Sequence, residues 1–100
     1  MTLVLRIAEA AKEDQAEIWR YIAADNELAA DRMIDLFVDA FTLLIAMPGV
    51  GRMRGELGDG LYSYTVTPYL IFYRTSSTHM DILRVLHGSR DLHVLLQHDN

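Results

Sequence analysis

The chain has no cysteine, which excludes a disulfide framework, a CxxC redox pair, a thiolate nucleophile and a thiolate zinc site. Proline is confined to Pro48 and Pro68, and the one lysine is Lys12. No apolar run approaches the ~20 residues that a membrane-spanning helix requires. Met1-Thr2-Leu3-Val4-Leu5-Arg6 carries neither a basic leader nor a cleavage site, so no secretory signal is expected. Positive charge is also short: 9 Lys and Arg stand against 14 Asp and Glu, a formal net charge of −5. Proteins that grip nucleic acid by neutralising phosphates carry a basic surplus. Direct nucleic-acid binding is therefore not expected here.

What is present fits an ordinary globular domain. The 100 residues are 51% hydrophobic and 23% charged, enough for one core that buries roughly two-thirds of the unfolded surface. One domain over residues 1–100 is expected, with no repeat or low-complexity segment. Charge is unevenly spread. Residues 1–47 hold nine acids against four bases, whereas residues 48–100 hold five of each sign. The second half gathers Arg52, Arg54, Arg74, Arg84 and Arg90.

Leu3 to Ile7 reads as a short strand. From Glu9 to about Asp25 the period is helical, with Ala11, Ile18, Trp19 and Ile22 on one face and Gln15 intruding on it. Asp25-Asn26-Glu27 breaks this helix and offers a cap for the next. Ala30, Met33, Ile34, Phe37, Phe41, Leu44 and Ile45 then line a second helix to about Met47, ended by Pro48-Gly49. So short a connection makes the two helices an antiparallel hairpin. Residues 49–60, with five glycines, read as a loop. Beyond it the period falls to two, in Leu61–Thr67, Tyr69–Thr75 and Met80–Leu86, an antiparallel meander. Ser89 or Asp91 then caps a last helix from Leu92 to about Gln97. The predicted fold is α+β, in the order β-α-α-β-β-β-α, with the N-terminal helix hairpin packed on a small antiparallel sheet.

Ser89, His87 and Asp91 fall within five residues and cannot converge as a catalytic triad does; they read as a turn and a cap. His79, His87, His93 and His98 show no i,i+4 pair, so no metal site is expected. The glycines of Gly49-Val50-Gly51 and Gly58-Asp59-Gly60 precede no Lys-Ser/Thr and read as turn residues rather than a phosphate loop. Trp19 reads as a half-buried anchor of the first helix, with a partner contact as the alternative. Arg84 alternates with Ile82 and Leu86, which assigns it their face of the strand, opposite Leu83, Val85 and His87. A charge there needs a partner or solvent. Two readings stand: an ion pair of Arg84 or Arg90 with Asp91 or Glu56, or an arginine cluster offered to an acidic partner.

Several short motifs occur in a specific order. They are the first-helix pattern Asp14, Ile18, Tyr21, Ile22; the loop Pro48-Gly49-Val50-Gly51-Arg52 with Arg54 and Glu56-Leu57; Gly60-Leu61; Tyr69-Leu70-Ile71-Phe72-Tyr73-Arg74; and Arg84-Val85-Leu86-His87-Gly88-Ser89-Arg90-Asp91. Together they span nearly the whole chain, which resembles the ParE branch of the RelE/ParE toxin superfamily. One branch of that superfamily cuts messenger RNA on the ribosome; the ParE branch poisons DNA gyrase without being a hydrolase.

The resemblance implies lysines on the first meander strand, an arginine early in the next, an arginine at the elbow and a last-helix tyrosine for the RNA-cutting members. Here those places hold Tyr62, Ser63, Tyr64 and Thr65, then Leu70, and finally Leu95 and Leu96; Arg90 alone matches. The ParE branch often carries an arginine where Tyr62 stands. What the resemblance implies is a small cytoplasmic toxin with no cofactor, neutralised by a ParD-like antitoxin and directed at DNA gyrase. Target binding falls on Arg52, Arg54, Arg84, His87 and Arg90. Antitoxin binding falls on the hairpin and the sheet, at Trp19, Tyr64, Tyr69, Tyr73 and Arg74. The alternative is a ribosome-dependent mRNA endonuclease using Arg84, His87 and Arg90.

Overall fold

A computed structural model describes residues 2–90 and 92. The order is β1 (Val4–Ile7), α1 (Glu9–Ala23), α2 (Glu27–Ala46), a 3-10 turn (Pro48–Val50), β2 (Arg52–Met53), β3 (Tyr62–Val66), β4 (Tyr69–Thr75) and β5 (His79–His87). The expected last helix lies outside the described residues, Leu92 apart. None of the described helices is long and apolar enough to cross a membrane.

The five strands form one sheet in the order β1-β5-β4-β3-β2. The meander is antiparallel as its period-two pattern predicts, but β1 lies parallel to β5 and makes the sheet mixed. The helix hairpin carries the chain from β1 across to β2 at the opposite edge, and the meander then brings β5 back beside β1, where the two strands run the same way. Arg52–Met53, read from sequence as loop, adds an antiparallel edge strand on β3.

The hairpin forms where the sequence is most explicit. Asn26 caps α2, its side chain accepting from the Ala29 amide at 3.0 Å. Trp19 joins the helices, its Nε1 donating to Asp31 at 2.9 Å. Gln15 turns its amide back to the Ala11 carbonyl at 3.3 Å, which explains how a polar residue sits on the inner face. Phe37, Phe41 and Leu44 of α2, with Ala11 and Ile18 of α1, pack on Tyr69, Ile71, Tyr73, Met80, Ile82 and Val85 of the sheet. The opposite face carries a smaller cluster of Leu61, Phe72 and Leu86, flanked by Leu57, Leu70, Leu83 and Leu92.

Membership of these two clusters corrects the expected orientation of β5. Ile82 packs under the helices but Leu86 packs on the other face, so they do not share a side. The cause is a register shift: Tyr73 pairs with Ile82 and Phe72 with Arg84, which leaves Leu83 without a partner on β4. One extra residue reverses the alternation beyond it.

At the other end of the sheet Arg6 donates to Asp81 through Nε at 2.6 Å and Nη2 at 3.1 Å. These hydrogen bonds hold the Asp81 carboxyl below its ordinary 3.8. A carboxyl whose value folding depresses contributes stability above its unfolded value. That contribution is lost as pH falls through the lower folded value. Asp81→Asn should therefore lower the midpoint near neutrality by a small amount, the pair being partly exposed, and that deficit should close as pH falls below about 4, which flattens the acid limb. Urea midpoints of the two proteins across this range measure the difference; identical acid limbs would remove Asp81 from the account.

Candidate functional site

The strand registers place four residues in one row across the sheet: Arg52 opposite Ser63, Ser63 opposite Phe72, and Phe72 opposite Arg84. At the usual strand spacing the two outer Cα atoms lie roughly 14 Å apart. Arg54 reaches into the row from the loop after β2. Its Nη1 donates to Ser63 Oγ at 3.2 Å and its guanidinium lies 5.8 Å from the Phe72 ring centroid. Its Nε meets Glu56 at 2.9 Å, and this bond lowers the Glu56 carboxyl below its ordinary value. Arg54 is thus held on the sheet by an acid, a hydroxyl and an aromatic face.

Arg84 is also engaged, with Asp14 of α1. Its Nε donates to Asp14 Oδ2 at 2.7 Å and its Nη2 to Oδ1 at 2.9 Å. The Val85 amide donates to the same Oδ2 at 3.0 Å. The shifted register explains this third bond. β1 ends beside Ile82, where the Ala8 amide takes the Ile82 carbonyl, and past that point the outer edge of β5 has no strand partner. The bulge turns the Val85 amide to that edge, and Asp14 satisfies it. Asp14 is only 8% exposed, so this is a buried, bidentate clamp between helix and sheet.

The elbow after β5 follows. Gly88 donates its amide to the Pro68 carbonyl at 2.9 Å and Arg90 its amide to the His87 carbonyl at 3.1 Å. His87 Nδ1 accepts from the Ser89 amide at 3.1 Å, which requires the ring proton on Nε2. The Ser89 hydroxyl lies 2.8 Å from the same nitrogen, so His87 and Ser89 form a turn. Asp91 lies outside the described residues.

The four arginines and one histidine singled out for target binding are therefore not one cluster. Arg54 and Arg84 are built into the sheet by Glu56 and Asp14. Arg52 is exposed on the edge strand, and Arg90 is exposed beyond β5. Neither side chain makes a hydrogen bond or a salt bridge among the described residues, although the Arg52 charge helps to lower the Glu56 carboxyl. Of the pairings expected from sequence, Arg54 rather than Arg84 or Arg90 takes Glu56.

The residues assigned to an antitoxin also divide. Tyr73 is fully buried; its hydroxyl donates to the Pro48 carbonyl at 2.8 Å and accepts from the Gly51 amide at 3.0 Å. Burial raises its phenol above the ordinary value, and the Gly51 amide opposes that rise. Tyr73 is therefore a core anchor with no surface to offer, a correction to its expected role. Tyr69 is buried too, edge-on to Phe37 and His87 at 5.7 and 5.5 Å, and burial together with nearby Tyr21 raises its phenol. Tyr64 is half-buried against the main core. Arg74 donates to the Asp59 carbonyl at 3.0 Å, and half-buried Trp19 staples the hairpin.

Beside the elbow lies a cleft of about 410 Å3 between α1 and the ends of β4 and β5, lined by Asp14, Glu17, Ile18, Tyr21, Pro68, Tyr69, Val85, Leu86, His87 and Arg90. Of its polar and aromatic residues, Asp14, Glu17 and Tyr21 are the ones that sequence reasoning did not assign to a site. Asp14 carried a signal: it falls three residues after Ala11 and four before Ile18, on the buried face, where a carboxylate needs a cation or amide. Glu17 and Tyr21 carried none beyond helical spacing. Among the described residues no group of three or more histidines and carboxylates is placed to hold a metal ion.

This architecture of two helices and five strands occurs in two solved toxin–antitoxin systems. The chromosomal ParDE system from P. aeruginosa aligns with a TM-score of 0.73 at 19% identity, over 86% of this chain and 96% of that one, a likeness of fold. The toxin–antitoxin complex RelBE2 from Mycobacterium tuberculosis aligns with a TM-score of 0.62 at 27% identity, over 87% of this chain and 99% of that one. Toxin ParE3 of Caulobacter vibrioides is 30% identical over 80 residues, or 79% of this chain and 80% of that protein. The family profile for the ParE toxin of type II toxin-antitoxin system, parDE, matches residues 5–92. The chain belongs to this ParE toxin family.

Proposed function

We propose that residues 1–100 act as one cytoplasmic toxin domain that inhibits DNA gyrase by stoichiometric binding and is neutralised by a ParD-like antitoxin. The observation that carries the reading is the state of the cations. Metal-free cleavage of RNA needs a base for the 2′-hydroxyl, an acid for the leaving group and positive charge on the phosphorane. β3 supplies Tyr62, Ser63, Tyr64 and Thr65 where a nuclease of this superfamily would carry lysines. Arg54 and Arg84 face carboxylates that neutralise them, which suits a protein-binding surface better than a phosphate-binding one. Arg52 and Arg90 remain to meet a target.

The reading is tested by adding purified protein in excess to a gyrase supercoiling reaction. Supercoiling should fall in proportion to the toxin added, and Arg52→Ala and Arg90→Ala should each raise the amount required. Untouched supercoiling at stoichiometric excess would sink the gyrase assignment.

A second reading, ribosome-dependent mRNA endonuclease, is favoured by two observations: His87 and Arg90 line a common cleft, and the RelBE2 complex is among the structural relatives. Primer extension in a translating extract separates the two. Codon-specific cuts lost in Arg90→Ala would favour the nuclease.

A further inference from the structure

We infer that the cleft between α1 and the β5 elbow receives one apolar anchor residue of the antitoxin, flanked by an antitoxin carboxylate at Arg90 and an antitoxin base at Glu17. This rests on the toxin–antitoxin reading and names the chemistry of the contact. The cleft, about 410 Å3, lies in the range of pockets that take a compact ligand or anchor side chain. Its floor is apolar, built from Ile18, Tyr69 and Val85, all buried. Tyr21 forms part of its wall and is 80% exposed, the most exposed large hydrophobic residue described. An accessible aromatic beside an apolar pocket is the usual centre of a binding hot spot.

The polar groups give the cleft a direction. Asp14 is occupied by Arg84 and the Val85 amide and is not available to a ligand. Glu17 on the helix wall and Arg90 on the elbow wall have no side-chain partners among the described residues. An occupant must therefore bring opposite charges to its two ends, positive toward α1 and negative toward the elbow. A nucleic-acid strand presents negative charge throughout and would meet Glu17 and the acidic hairpin unfavourably. A protein segment with a base, an apolar residue and an acid in sequence meets both walls.

The test uses the full chain and the protein encoded in the adjacent reading frame. Overlapping 12-residue synthetic peptides of that protein, fluorescently labelled, are titrated with wild type and with Tyr21→Ala, Glu17→Lys and Arg90→Glu. One peptide holding the base–apolar–acid pattern should bind, and each substitution should weaken it ten-fold or more. Reversing the peptide's acid to lysine should restore binding to Arg90→Glu alone. If the neighbour-encoded protein copurifies equally with wild type and all three variants, the cleft assignment is wrong and the toxin–antitoxin reading stands. If it does not copurify with wild type at all, the antitoxin reading itself fails. Peptides that bind regardless of charge reversal would also overturn the assignment.

Discussion

Asp14→Ala should be among the most damaging single substitutions in the chain, costing about 3–5 kcal/mol of folding stability. The carboxylate serves three donors, Nε and Nη2 of Arg84 and the Val85 amide. Its removal leaves a guanidinium whose side chain is 15% exposed facing no carboxylate from α1, and strips an edge amide of its acceptor. A part-buried charge that loses a bidentate carboxylate is expensive to keep, and an unsatisfied buried amide adds to the cost. For a domain of this size the loss corresponds to a fall in Tm of about 12 °C or more. Asp14→Asn separates the contributions: it keeps an oxygen for the Val85 amide and discards the charge, so it should fall between wild type and Asp14→Ala. Thermal and urea unfolding of the three proteins measure this. A change within about 0.5 kcal/mol for Asp14→Ala would mean that the pair behaves as a surface salt bridge, and the clamp would have no role. Because Val85 is followed directly by Leu86 and His87, destabilisation should also loosen the elbow and the cleft wall. Amide exchange at Val85, His87 and Arg90 should accelerate before that of Ile71.

The same clamp shows what a sequence can and cannot reveal. The helices were legible because their apolar residues repeat at three and four, and the bounds expected for α2 differ from those observed by one residue, Met47 against Ala46. The meander was legible because Tyr, Val, Ile and Phe alternate between short turns. Side-chain facing along β5 was not, because the bulge at Leu83 arises from how β4 and β5 pair and leaves no mark in the alternation. Arg84 was recognised as needing a partner, yet the partner lies 70 residues earlier, brought there by the parallel placement of β1. Periodicity does not encode such a contact; topology does. Arg52 and Arg54 look equivalent in sequence, two residues apart in a glycine-rich loop. Only the fold distinguishes them, turning Arg54 onto Phe72 and Glu56 and leaving Arg52 at the edge. The residues that remain to act on a partner are thus fewer than the arginine count suggests, and they stand at two separate edges of the sheet.

Gly51→Ala is the second large effect, and its origin is steric. A Cβ there would fall on the Tyr73 hydroxyl, 2.9 Å from Tyr73 Cε1 and 2.8 Å from the Ser63 carbonyl oxygen. Two of these atoms belong to a fully buried ring and one to sheet backbone, so none moves freely. Overpacking of this kind costs about 1–3 kcal/mol, and displacing the hydroxyl also breaks its bonds to Pro48 and Gly51. Tyr73→Phe alone should cost about 1–3 kcal/mol by leaving the Gly51 amide and Pro48 carbonyl without their partner. The double variant decides the mechanism. If the alanine methyl acts by expelling the hydroxyl, Gly51→Ala/Tyr73→Phe should be no less stable than Gly51→Ala, a coupling of about 0.5–3 kcal/mol. Strictly additive losses in urea unfolding would refute the steric account. The consequence reaches function because Arg52 follows Gly51 directly and opens β2, pairing with Ser63. Pushing Gly51 away from Tyr73 and the Ser63 carbonyl detaches that edge strand and carries Arg52 off the row it shares with Ser63, Phe72 and Arg84. On the proposed gyrase reading, Gly51→Ala should therefore weaken inhibition at least as much as Arg52→Ala, even below its own melting temperature, because it removes the strand that holds the arginine in place.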